Sequence, residues 1–321
     1  MRTLSSIAAV VAAAALTVSL TACGTDDSPQ GTGAVTLQNC GRTVSLAAPA
    51  TRGITVNQGA TESALAIGAE KDLVGTAYLD DQIAPQFKEA YDSVPVLAPK
   101  YPDLETVLAA KPDLVAASYS SAFTDGGIGS RDEFAGLGIA TYVSPFGCEN
   151  KDDRPAPSWD AIAGEASDYG VLFGRTDEAD RENQRMRETL AELKTADAGR
   201  GTSVLWWDAG TDTPSVGAGD GGPQLIIDAV GATNIFAGLS GNWTDASWEQ
   251  VVKADPDVIV LIDALFSTAE DKKAYLESDP ALQSLTAVKN ESYLVVPFSE
   301  STPGPRTIDG AVKLSQYLGA R

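Results

Sequence analysis

The chain has 321 residues, 44 acidic against 23 basic, and no histidine. A net charge of −21 repels nucleic acid and phosphate-rich ligands at long range. The missing imidazole excludes Ser-His-Asp and Cys-His catalysis and any metal site built on histidine, and two methionines and three cysteines leave little for soft-metal binding.

Residues 1–22 read as a secretory signal, with Arg2 as the charge, an apolar stretch over 7–20 and small residues before Cys23. Small residues ahead of a cysteine form a lipobox pattern, so Cys23 is expected to carry a lipid and to begin the mature chain. That places the protein on the outer face of the cell membrane, exported and anchored rather than spanning. Loss of Arg2 with the signal takes the net charge to −22. Residues 23–34, rich in Gly, Asp and Ser, read as a flexible tether. About 300 residues remain, enough for two domains with cores of their own.

The pattern then predicts an edge strand at 44–46, a strand at 53–57, a helix over 61–67 and a strand at 73–77. A loop at 78–81, a helix over 85–91 and a short strand at 94–97 follow. Next comes a helix stopped by Lys111-Pro112-Asp113, since a helix interior does not accept proline, and an unbroken apolar strand at 114–117. A Gly- and Ser-rich loop over 118–130, a helix over 131–137 and a strand at 140–143 complete a βαβαβαβ order, which argues for a doubly wound sheet. Residues 35–157 are the expected N-terminal lobe. Helices over 158–173 and 177–193, separated by Gly174, carry the chain across 158–198, and such a bridge is stiff. Residues 199–321 are the expected C-terminal lobe. It has strands at 202–207, 258–262 and 292–296, helices over 224–230, 269–278 and 307–318, and loops at 208–222, 241–246 and 265–268.

One stretch occurs twice. Leu104-Glu105 to Val115 and Trp248-Glu249 to Ile259 share an acid opening a short apolar helix, a Pro-Asp stop and an aliphatic strand, with Glu105 and Glu249 144 positions apart. Residues 65–69 echo 228–232 in the same order. The interval is too long for a solenoid, so the chain reads as two α/β lobes of similar plan.

Asp103 and Ser247 read as N-caps. Residues 102 and 246 are Pro and Ala, which rules out a capping box involving Glu105 or Glu249. Either the two acids serve the helix dipole, or they form one matched knob per lobe for a partner's arginines. Ligand sites in open α/β sheets lie beyond the carboxyl ends of the strands. There the loops are aromatic: Tyr78, Tyr101 and Tyr119 in the first lobe, Trp206 or Trp207, Trp243 and Phe298 in the second. Arg306 stands in a rigid Pro-Gly-Pro-Arg loop, available to a ligand acid or to a neighbouring carboxylate. No motif marks a direct metal site, a phosphate cradle or a nucleophile with its base. Cys40 and Cys148 read as a disulfide in an exported protein, about 3–4 kcal/mol for so long a loop; two separate buried thiols are the alternative.

The chain resembles the periplasmic binding proteins that serve ABC importers for iron–siderophores, haem and vitamin B12. The likeness rests on residues 60–68, the Glu105 to Val115 block, the Glu249 to Asp257 block, Pro305-Arg306 and the lipobox. It implies two Rossmann-like lobes joined by a long helix, with a ligand clamped in the cleft between them. It also implies a two-subunit ABC permease docked through Glu105 and Glu249. Trp243 stands where cobalamin-binding members have a pocket Trp, but Pro99 occupies the first-lobe counterpart. The expected ligand is therefore a ferric siderophore captured by a monomeric, non-enzymatic receptor. Cobalamin or haem is the alternative and an exported carboxylate-based hydrolase the distant one.

Overall fold

A computed structural model describes residues 33–321. The first element is a hairpin of β1 (Val35–Asn39) and β2 (Arg42–Leu46), paired antiparallel. A five-stranded parallel sheet follows, built from β3 (Gly53–Val56), β4 (Leu73–Ala77), β5 (Val96–Ala98), β6 (Leu114–Ala117) and β7 (Ala140–Val143). Its order is β5-β4-β3-β6-β7, so the chain reverses direction across the sheet between β3 and β6. The helices of this lobe are α1 (Gln58–Ala66), α2 (Lys88–Asp92), α3 (Leu104–Ala109) and α4 (Arg131–Gly136).

Helices α5 (Trp159–Leu172) and α6 (Thr176–Ala196) then carry the chain to a second sheet. Its strands are β8 (Ser203–Ala209), β9 (Ser215–Gly217), β10 (Thr233–Asn234), β11 (Trp243–Asp245), β12 (Val258–Asp263) and β13 (Tyr293–Pro297). The order is β11-β9-β8-β12-β13, with β10 beside the start of β8. Strands β8, β12 and β13 are parallel, while β9 and β11 add antiparallel. Helices α7 (Gly222–Ala229), α8 (Trp248–Ala254), α9 (Ala269–Ser278), α10 (Thr286–Lys289), α11 (Phe298–Ser301) and α12 (Thr307–Gly319) complete the lobe. The fold is thus the expected pair of α/β lobes. Six pieces are new: β1, β10, the short helices α10 and α11, and the β9 and β11 strands inside stretches that read as loops. At three residues, β9 and β11 are too short to show a period of two.

The repeated stretch has a structural cause in both lobes. Asp113 accepts backbone N–H bonds from Thr51 and Arg52 at 2.9 and 3.1 Å, fixing the start of β3. Asp257 accepts the N–H of Ser203 at 2.8 Å and its hydroxyl at 2.7 Å, fixing the start of β8. Lys111 and Asp255, each just before the proline, both take left-handed backbone angles. The Pro-Asp pair therefore ends one helix and clamps the first strand of its lobe.

Both sheets are buried on two faces, as their apolar runs require. In the second sheet Val204, Val258, Val260 and Ile262 pack on one side, and Leu205, Ile259 and Leu261 on the other. Cys40, in the turn between β1 and β2, is bonded to Cys148, just past β7, across 108 residues of sequence. The bond holds the hairpin against the loop that leaves β7.

Candidate functional site

The cleft lies at the carboxyl ends of the strands and encloses about 850 Å³ of empty space, solvent at its mouth included. One wall is the N-terminal half of α1 with the loops after β6 and β7. The other comprises Asn242 and Trp243 at β11, Phe298 and Ser299 of α11, and the 302–306 segment.

The start of α1 is built from outside itself. Asn57 makes no side-chain cap, and the open N–H groups of Gln58 and Ala60 are instead met by the Asp80 carboxylate and the Ser118 hydroxyl, both at 2.9 Å. Two loops are thereby drawn to one helix end. Across from it Gly147 runs against the backbone of Ser118, so close that a Cβ there would lie 2.0 Å from the Ser118 carbonyl oxygen. The neighbouring Phe146 is thereby held on the cleft wall.

The lining is acidic at its floor. Glu62 is fully buried, and one of its oxygens accepts the Ala84 N–H at 2.7 Å. Desolvation outweighs that bond and the nearby Arg306, and pushes its carboxyl up to about 7. Glu165, on α5, is 5 % exposed and held by Ser144; burial pushes it up to about 7 as well, with Asp168 adding to the rise. Asp80 is raised by burial, and the facing Tyr119 hydroxyl is raised in turn by burial and by the Asp80 charge.

Beside the cleft the two lobes are bonded to each other. Asp81 accepts the Ser299 N–H at 2.9 Å and its hydroxyl at 2.6 Å. Arg306 donates to the Gln82 carbonyl at 3.1 Å and pairs with Glu300 at 2.6 Å, with Glu62 at 3.8 Å. Lys313 reaches the same Glu300 oxygen at 2.6 Å. At the mouth, Leu265 and Phe266 form the tip of a two-residue turn closed by paired hydrogen bonds between Ala264 and Ser267. They are 83 and 67 % exposed. The turn is braced from beneath by the buried Lys272 ammonium, which donates to the Ile262 and Ser267 carbonyls. Facing this tip are Tyr78, Lys100 and Tyr119 of the first lobe.

Of the loop aromatics and the arginine singled out in the sequence, Tyr119, Trp243, Phe298 and Arg306 line the cleft, and Tyr78 lines its mouth. Trp206, Trp207 and Tyr101 do not. Trp206 and Trp207 are fully buried on opposite faces of β8. Trp207 donates to the Ala209 and Gly210 carbonyls and meets Trp248 edge-on at 4.9 Å. Both are core residues because the middle of β8 is covered on two faces, and Val204 to Trp207 are all buried. Tyr101 packs edge-on behind Tyr78, with ring centroids 4.7 Å apart, and its hydroxyl bonds to Ser121. Arg306, 6 % exposed, reaches the wall, but its guanidinium is committed to Glu300, Glu62 and Gln82.

Glu105 and Glu249 are exposed near the starts of α3 and α8. Asp103 caps Thr106, and Ser247 forms a capping box with Gln250, so neither glutamate is used by its own helix cap. Cys23 lies outside the described residues, as do the signal segment and most of the tether. Among the described residues no helix is long and apolar enough to cross a membrane, and no group of three or more Cys, Asp or Glu could hold a metal ion.

Sequence reasoning missed Gln58, Glu62, Glu165 and Phe146. Glu62 lies on the helix expected over 61–67 and within the 60–68 stretch, while Gln58 precedes both, and a Gln and a Glu near alanines were the only available signal.

A family model described as periplasmic binding protein matches residues 54–298. Among solved structures, a periplasmic binding protein from Veillonella parvula aligns with a TM-score of 0.76 at 24 % identity, over 90 % of this chain and 99 % of that one. An ABC-type Fe3+-hydroxamate transport protein from Saccharomonospora viridis gives 0.71 at 24 %, over 89 % and 99 %. A periplasmic haem-binding protein from Roseiflexus gives 0.65 at 20 %, over 84 % and 98 %.

Proposed function

The chain belongs to the periplasmic binding protein family, and we propose that it is the lipid-anchored receptor of an ABC importer that captures a ferric siderophore. The observation that carries this reading is the cleft itself, which lies between two lobes with an aromatic wall from each, Phe146 and Tyr119 against Trp243 and Phe298. Aromatic walls facing one another across a cleft suit a bulky, partly apolar chelate. The similar fold of the hydroxamate-transport protein agrees with it.

Haem suits the site less well. Ferric haem held by tyrosine needs a phenolate, and burial together with the Asp80 charge pushes the Tyr119 hydroxyl up and keeps its proton on. Haem propionates need free cations, and Arg306 is already paired with Glu300.

In this reading Glu105 and Glu249 dock onto the two permease subunits, one per lobe, and lipid on Cys23 retains the receptor at the outer face of the membrane. Residues 35–157 and 199–321 act as the lobes and 158–198 as a stiff link between them. The receptor works as a monomer and catalyses no reaction. Trp243 supplies the test: a ferric trihydroxamate should quench tryptophan fluorescence in a saturable way. A response to cobalamin or haemin alone would overturn the substrate assignment.

A further inference from the structure

The floor of the cleft has a chemistry that the fold does not require. Glu62 and Glu165 both line it, and both are more than nine-tenths buried. Glu62 uses one oxygen for Ala84 and Arg306, while its Oε2 has no hydrogen-bond partner. Gln58, one helical turn earlier, leans towards this carboxylate, yet its Nε2 completes no bond. A buried polar atom left open costs stability unless something else meets it. Among the described lining residues Arg306 is the one cation, and it is held by Glu300. Lys100 stands at the mouth, 4.6 Å from the Tyr78 ring centroid. The floor therefore holds an open carboxylate oxygen beside an open amide donor, and no free positive charge.

We propose that this floor is a cation subsite, in which Glu62 and Glu165 receive a protonated amine carried by the chelate. The proposal rests on the receptor reading above and narrows it: the ligand is a ferric hydroxamate with a free ammonium arm, not a neutral or anionic one. The aromatic walls take the bulk of the chelate, and the arm points inward to the carboxylates.

The carboxylates must be ionised to act. Glu165 is faced by Asp168 and Tyr169 on its own helix, by Tyr142 and Ser144 from β7 and the loop after it, and by Glu182 and Asn183 from α6. Glu62 is faced by Gln58, Asp81 and Arg306. Both carboxyls titrate near 7, so selection for the amine strengthens as pH rises through neutrality.

The test compares a linear ferric trihydroxamate bearing a terminal amine with its N-acetylated derivative, by tryptophan quenching on the full mature protein. At pH 8 acetylation should weaken binding roughly tenfold to a hundredfold, the range of a hydrogen bond to a charged group. At pH 5.5 the gap should close to less than about threefold, as the carboxyls are neutral. Glu165→Gln should narrow it at pH 8, and the double variant Glu62→Gln with Glu165→Gln should close most of it. Equal binding of the two chelates to the unmutated protein at pH 8 overturns the proposal without reference to any variant. A gap that survives undiminished in the double variant also overturns it, because the preference would then come from the acidic surface at large. If neither chelate binds while cobalamin or haemin does, the siderophore assignment itself has failed and the subsite falls with it.

Discussion

Replacing Glu165 by Gln should stabilise the ligand-free protein at pH 8 and leave it nearly unchanged at pH 5. Glu165 is buried, held by Ser144, and flanked by Asp168 without a cation beside it. Its carboxyl is raised from 4.5 to about 7, which corresponds to a burden of about 3 kcal/mol on the ionised form. The sign follows from linkage. Below the unfolded pKa both states hold the proton and there is no penalty. As pH rises from 4.5 to 7 the unfolded chain gives up its proton first and stability falls; above 7 the penalty is complete. Glutamine keeps a hydrogen-bonding group for Ser144 and never ionises. With an unfolding entropy of about 2 cal/mol/K per residue, about 3 kcal/mol in a body of roughly 290 residues is a gain of roughly 5 °C in Tm. Differential scanning calorimetry of both proteins at pH 5 and pH 8 measures it. The variant-minus-parent difference is the readout, because Glu62 and Asp168 also titrate high and tilt both curves. A shift of equal size at the two pH values, or a loss at pH 8, would show that Glu165 is not held ionised at a cost.

Reversing both Glu105 and Glu249 to Lys should abolish uptake in cells while the ligand Kd stays within about twofold, since both side chains are exposed and outside the cleft lining; a matching loss of affinity would remove the docking role. Breaking the disulfide by Cys40→Ser with Cys148→Ser should cost about 4 kcal/mol, seen as a fall in Tm of roughly 7 °C, because the bond closes a loop of 108 residues. Asp81→Ala removes two bonds to Ser299 and should widen the angle between the lobes, read as a larger radius of gyration by solution scattering; an unchanged radius would show that the Arg306 and Glu300 contacts hold the lobes without it. Gly147→Ala should cost at least about 2 kcal/mol and weaken ligand binding, because its Cβ has no room beside Ser118.

The scaffold was open to reading because its signals are local. Pro112 and Pro256 stop helices whatever surrounds them, and the aliphatic runs at 114–117 and 258–262 announce strands covered on both faces. The site was harder to see. Trp206 and Trp207 look like cleft residues in a sequence because they end an apolar strand near a Gly-rich loop. Whether the strand's last turn of side chains meets solvent or a packed helix is a tertiary fact, and here Trp248 and Tyr275 cover one and α7 with α12 cover the other. Arg306 is the same case in charge. Its loop was visible, but Glu300, only six residues away, had no period or motif to mark it as the partner. Glu62 and Glu165 were invisible for the opposite reason. Each lies on a helix, where a glutamate is ordinarily solvated, and only the approach of another wall turns it into a buried acid.

The repeat also shows where ligand reading must reside. If residues 65–69 correspond to 228–232, then Gln58 and Glu62 correspond to Gly221 and Leu225. The second-lobe helix end is closed: a Cβ at Gly222 would lie 2.3 Å from the Ser301 carbonyl oxygen, so no ligand approaches there. Its side chains Pro223, Ile226 and Ile227 are buried. The two helices share a place in the lobe plan, yet only α1 turns a Gln and a Glu to the cleft. The features common to both halves, the Pro-Asp clamps and the exposed glutamates, are those a two-fold partner could use twice. A small ligand has no such symmetry, and the residues that could recognise it are those at which the halves differ. Specificity in this chain should therefore follow α1 and α5, and exchanging the 58–62 segment for its second-lobe counterpart should change which chelate binds while leaving both clamps in place.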